Sequence, residues 1–123
     1  MKSRLPKVLH KVAGKPLLEH VVQTAQALAP NAIHVVIGHG SEQVEAALSG
    51  YKLNWVLQEQ RLGTGHAVLQ ALPAVSADSI VLVLYGDVPL TQLATLQCLV
   101  DKAGQSPALL TAKVDNPFGY GRI

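Results

Sequence analysis

The stretch Ser79-Ile80-Val81-Leu82-Val83-Leu84-Tyr85-Gly86-Asp87-Val88-Pro89-Leu90 constrains this chain most. From Ile80 to Leu84 every side chain is aliphatic, with none of the alternation of a strand that shows one face to water. The pattern predicts an interior strand of a parallel sheet, covered on both faces. Open α/β sheets bind ligands beyond the carboxyl ends of their strands, and here the run stops at Gly86-Asp87, a residue without a Cβ followed by a carboxylate. Pro89 has no N–H to give a ladder and ends the pairing. A carboxylate at that point suits a hard divalent cation that also takes phosphate oxygens. The same Asp would serve equally as a turn or capping residue, a common use of Asp in loops.

The elements around this run alternate. Leu17, Leu18, Val21, Val22, Ala25 and Leu28 recur at helical spacing, with Pro16 placed as the first helical residue and Pro30 closing the helix. A strand over Ala32–Ile37, a short helix over Ser41–Leu48 capped by Ser41, and a strand over Leu53–Leu57 follow. After the polar loop Gln58–Arg61, the turn Leu62-Gly63-Thr64-Gly65-His66 opens a helix ended by Pro73. Such a turn offers free N–H groups and a hydroxyl to a ligand close to the backbone, or it is simply a turn whose glycines supply positive φ. Beyond the central run, a helix from a Thr91 cap to Ala103 and a strand over Ala108–Val114 complete the pattern, with Cys98 off the apolar stripe. Helix and strand in alternation predict an α/β fold: a Rossmann-like, doubly wound and mainly parallel sheet. The first residues, Met1 to Gly14, read as a basic irregular loop. Within it Lys7 follows the rigid Pro6 and is either a solvated lysine or a cation held near a polyphosphate.

Several function classes fall away. A chain of 123 residues holds one folding unit, and a net charge of +2 with scattered Lys and Arg gives no footprint for nucleic acid. A single cysteine excludes an internal disulfide, and the absence of a membrane span or secretory h-region predicts a cytoplasmic protein. His10, His20, His34, His39 and His66 never reach metal-ligand spacing with one another or with Cys98. There is no Gly-x-Ser-x-Gly elbow and no P-loop, since Pro16 follows Gly14-Lys15. A dinucleotide fold would place Asp87 suitably after Gly63 and Gly65, but Val68 stands where the third glycine belongs.

Five blocks occur in register: Leu5-Pro6-Lys7-Val8-Leu9, Gly14-Lys15-Pro16, Gln58 to Ala67, Tyr85 to Leu90 and Gly119-Tyr120-Gly121-Arg122-Ile123. With them the chain resembles the bacterial sugar-1-phosphate nucleotidyltransferases, above all the uridylyltransferase domain of the bifunctional N-acetylglucosamine-1-phosphate uridylyltransferases/glucosamine-1-phosphate N-acetyltransferases. The resemblance implies Mg²⁺-dependent uridylyl transfer from UTP to N-acetylglucosamine 1-phosphate, giving UDP-N-acetylglucosamine, a cell-wall precursor, and pyrophosphate. It implies Lys7 on phosphate, Gln58 with Gly63 and Thr64 on the uracil, and Asp87 on the metal. Tyr85 and Gly86 would line the nucleotide-sugar site, with Gly121 at the sugar end. The family's leading strand and glycine-rich loop have at most Met1 as a counterpart. Its second metal-binding residue, an Asn, and the C-terminal β-helix through which the full protein trimerises have none. The expectation is a partial domain, incomplete at both ends and inactive alone. The alternatives are another sugar-1-phosphate nucleotidyltransferase and a non-catalytic nucleotide-binding domain of the same fold.

Overall fold

The computed structural model describes residues 5–38, 41–104, 106–116 and 118–119. The amino-terminal segment, expected to be irregular, contains a short 3-10 helix over Lys7–Leu9 and a hairpin of β1 (Lys11–Val12) with β2 (Lys15–Pro16). Ala13 and Gly14 join the two strands with φ of 51° and 82°. Positive φ at both loop residues is what a two-residue hairpin of this twist demands, and glycine meets it without strain.

Helix α1 (Leu17–Gln26) starts one residue later than the pattern predicts. Pro16 is its N-cap, held extended by pairing in β2, rather than its first helical residue. Leu18 and Val22, four residues apart and so on one face, are buried. Strands β3 (His34–Ile37) and β4 (Asn54–Leu57) pair in parallel with His34 opposite Asn54, and α2 (Glu42–Ala47) makes the crossover. Val35 and Trp55 sit opposite each other and pack on a core of Leu9, Leu18, Val22, Val44 and Leu48. By the alternation of a pleated strand, Val36 and Val56 face the other way. Ser41 occupies the N-cap of α2, but its hydroxyl donates to the Gly38 carbonyl instead of capping the helix. Tyr51 closes the unit: its hydroxyl donates to Glu19 Oε1 (2.8 Å) and accepts from Gln23 Nε2 (2.7 Å), tying the loop after α2 to α1.

Helix α3 (Thr64–Ala71) follows, and the chain passes through a 3-10 turn over Leu72–Ala74 that contains Pro73 rather than stopping before it. The apolar run differs from expectation. Residues 80–84 join no ladder, and Val83 is 48% exposed. Leu82 and Leu84 are half-buried while Val81 and Val83 are exposed, so one side is covered and the other is not. The physical reason is the lack of partners: an interior parallel strand needs a neighbour at each edge, and among the described residues β3 and β4 bond only to each other. Instead the run borders a largely apolar cavity of about 640 Å³ together with Val21 of α1 and Leu96. Helix α4 (Leu93–Lys102) has Gln92, not Thr91, at its N-cap, and buries Leu96. Residues 108–114 likewise form no strand. The molecule is therefore an α/β fold with one parallel strand pair, and among the described residues that pair does not extend into a wider sheet.

Candidate nucleotide site

Two groups of side chains form the candidate site. The first is built on the 3-10 helix. Leu9 is buried in the core and Val8 packs against it, while Leu9 N donates to the Pro6 carbonyl and His10 N to the Lys7 carbonyl. These contacts fix the backbone and leave the Lys7 side chain in solvent. Its Nζ donates to Asp87 Oδ2 at 2.6 Å, across 80 residues of sequence, with the two side chains 78% and 32% exposed. The Lys7 hydrogen bond holds the Asp87 carboxyl below the usual carboxylate range, against a smaller opposing effect of burial. Asp87 is thus ionised and reachable at neutral pH.

Asp87 owes its place to a turn. Val88 N donates to the Tyr85 carbonyl at 3.2 Å, so Gly86 and Asp87 form the centre of a β-turn. The turning role weighed for Asp87 is therefore real, and it coexists with a half-buried carboxylate that solvent still reaches. A Cβ on Gly86 would lie 3.1 Å from Leu18 Cδ1 and 3.4 Å from Val8 Cγ1. Glycine here lets the turn sit close on α1 and the 3-10 helix, which delivers Asp87 to Lys7. Tyr85 is exposed beside them.

No three His, Cys, Asp or Glu residues cluster as a metal cage among the described residues. That donor set does not fit a cation held by protein alone. It does fit Mg²⁺, which takes one or two carboxylates and completes its shell with water and substrate phosphates.

The second group lies at the junction of β4 and α3. Gln58 N donates to the Ile37 carbonyl at 2.7 Å, continuing the parallel pairing beyond the carboxyl ends of β3 and β4. Gly63 caps α3 with φ of 97°, a value that favours glycine. The turn leaves the first N–H groups of α3, beginning at Thr64, outside the helix's own bonding. Gln58 Nε2 donates to the Gly63 carbonyl at 3.2 Å and lies 3.0 Å from His66 Nδ1. Gln70 Nε2 lies 3.2 Å from the other ring nitrogen of His66, Nε2. His66 and Gln70, with Glu59 and Gln60, line a small cavity of about 210 Å³.

The fold therefore unites Lys7, Gly86 and Asp87 in one group, and Gln58, Gly63 and Thr64 in the other. Among the described residues no hydrogen bond or ion pair joins the two. Gly121 lies outside the described residues. Two residues escaped the sequence reading. His66 gave a weak signal by following Gly-Thr-Gly directly. Arg61 gave none, yet its guanidinium packs against Gly38 at the end of β3, 3.1 Å from where a Cβ would be.

The chain is 61% identical to the bifunctional protein GlmU of Marinobacter nauticus, 60% identical to that of Stutzerimonas stutzeri and 57% identical to that of Burkholderia mallei. Each similarity covers the whole of this chain and 27% of the relative, so the chain spans about a quarter of the length of these curated relatives. Residues 1–120 match the MobA-like NTP transferase domain, and the chain belongs to that family.

Proposed function

We propose that this chain supplies the nucleotide-binding part of a uridylyltransferase that joins UTP and N-acetylglucosamine 1-phosphate into UDP-N-acetylglucosamine and pyrophosphate, within a Rossmann-like doubly wound domain. The family membership and the GlmU relatives support nucleotidyl transfer in sugar-nucleotide synthesis. The observation that carries the reading is the Lys7–Asp87 pair, a cation and a carboxylate brought to 2.6 Å from opposite parts of the chain and left open to solvent.

In this transfer an oxygen of the sugar phosphate attacks the α-phosphorus of UTP and pyrophosphate departs, so no side chain is needed as a nucleophile. The protein's work is to position the reactants and neutralise charge. The Lys7 ammonium, on a backbone fixed by Leu9, reaches a phosphate chain that approaches Asp87 and compensates its negative charge. Asp87, relieved of Lys7 by that phosphate, would hold Mg²⁺, whose charge would there neutralise phosphate oxygens. Gln58 and the Gly63-Thr64 turn hold the uracil, and Tyr85 and Gly86 border the sugar nucleotide.

Titration of the purified chain with UTP, with and without Mg²⁺ and with NAD as control, tests this. Selective UTP binding strengthened by Mg²⁺ and insensitive to it in Asp87→Ala is expected. Preference for NAD, or a full Mg²⁺ effect surviving in that variant, counts against the assignment.

A further inference from the structure

The two ends of the Gln58 amide have opposite hydrogen-bonding character, and one contact decides which way it faces. Nε2 lies 3.2 Å from the Gly63 carbonyl oxygen, which only accepts. Turned over, the amide would press its own oxygen against that carbonyl, two acceptors in contact. Nε2 therefore faces inward. The same nitrogen lies 3.0 Å from His66 Nδ1, and an amide nitrogen only donates, so Nδ1 accepts. The imidazole is then neutral with its proton on Nε2. That N–H faces Gln70 Nε2, 3.2 Å away, and since an amide nitrogen cannot accept, the exposed Gln70 amide must be turned over to offer its oxygen to the ring. Donation runs in one direction, from Gln58 to Gly63 and His66 and from His66 to Gln70. Gln58 Oε1, at the outer end, accepts from none of the described residues.

We propose that His66 is a positioning residue that locks Gln58 with its carbonyl oxygen outward and thereby selects the nucleobase. An outward acceptor takes a base that presents an imide N–H, as uracil does at N3. It repels one that presents a ring-nitrogen lone pair there, as cytosine does. Discrimination of this kind is strong because the wrong base leaves two acceptors facing each other. The proposal rests on the reading that Gln58 faces the base. His66 acts only through Gln58 and touches no reacting atom.

The test combines a spectrum with two substitutions in the whole chain. Long-range ¹⁵N–¹H correlation at neutral pH should report the His66 tautomer with the proton on Nε2, whether or not a nucleotide binds. His66→Phe keeps a ring and removes the acceptor, so the preference for UTP over CTP should fall about tenfold, as expected for one lost orienting hydrogen bond. His66→Asn places its side-chain oxygen near the position of Nδ1 and should restore most of the preference. A proton on Nδ1, or an unchanged UTP-to-CTP ratio in His66→Phe when UTP still binds, overturns this proposal and leaves the uridylyltransferase reading intact. Failure of the wild-type chain to bind either nucleotide overturns that reading and base selection with it, while the tautomer spectrum still decides how Gln58 is held.

Discussion

Residues 34–57 and 79–114 are both built as an apolar run, a helix and a second apolar run, yet only the first forms a ladder. In the first, β3 and β4 pair over their full lengths, and the connecting helix sends Val44 and Leu48 into the core, Leu48 with no exposed surface at all. In the second, Val83 is 48% and Leu109 69% exposed, and α4 buries Leu96 beside a cavity of about 640 Å³. The second region has the more apolar run, so hydrophobicity does not explain the difference. What separates them is the crossover helix. Val44 and Leu48 are clamped against Leu18 and Val22 of α1, in the same core on which Val35 of β3 and Trp55 of β4 pack, which holds the two strands at ladder distance. Among the described residues no comparable core cluster holds residues 80–84 and 108–114 edge to edge. The second region is instead pinned at its turn, where Gly86 rests on Leu18 and Val8 and Asp87 meets Lys7.

The largest test of this contrast is to truncate one aliphatic side chain to alanine in each region. Leu48→Ala empties a fully buried site and should cost about 2–5 kcal/mol, whereas Val83→Ala should cost less than about 1 kcal/mol. Denaturant unfolding followed at equilibrium measures both, and equal losses would mean that the apolar run is as well packed as the core. A smaller effect comes from the pin between the regions. Gly86→Ala sets a Cβ 3.1 Å from Leu18 Cδ1, and because the contacts are side-chain ends that can yield, the cost should be about 1 kcal/mol. Loss of contact between Lys7 and Asp87 in that variant, seen as the Asp87 titration returning toward its ordinary range, would show that the pin positions the pair.

The smallest effect is the pair's own share of stability. The folded Asp87 has a lowered pKa, so its contribution is present above the unfolded-state value and is lost as pH falls through the folded value. Both partners are substantially exposed, which limits that contribution to about 1 kcal/mol or less. Lys7→Met should therefore flatten the acid side of the stability profile slightly and raise the Asp87 pKa. An unmoved Asp87 titration in Lys7→Met would show that the ion pair is not formed in solution.

Local signals were legible wherever periodicity and covalent geometry suffice. The helical spacing of Leu18 and Val22, the β-branched Val35-Val36-Ile37 and the turn glycine Gly63 all sit in the elements their sequence predicts, whereas Gly65, read as part of that turn, lies within α3. Cap residues were less legible. Ser41 and Thr91 have suitable side chains, but a hydroxyl chooses between a helix N–H and any nearby carbonyl, and Ser41 takes that of Gly38. The hairpin over residues 11–16 was hidden because Ala13 carries no sequence sign of the positive φ it adopts. In the candidate site, Asp87 and Lys7 could be singled out by residue type and place in the sequence, and Gln58 through the family resemblance. The contact between Lys7 and Asp87 was not, because no local spacing connects positions 80 residues apart.

By itself, then, the sequence determined the order of helices and apolar runs, the glycine turn before α3, the turn at Gly86-Asp87 and, through the resemblance in its five blocks, the family to which the chain belongs. These are properties of short windows, set by side-chain shape, backbone freedom and hydrophobic period. The tertiary structure alone decided which apolar runs pair, which face of the Gln58 amide is offered outward, and that Lys7 meets Asp87. Strand pairing needs a second edge at the right distance, an amide's orientation needs its neighbours' donors and acceptors, and an ion pair needs two backbones fixed independently. Each depends on groups that lie far apart in the chain and are brought together only by packing around Leu18, Val22, Val44 and Leu48.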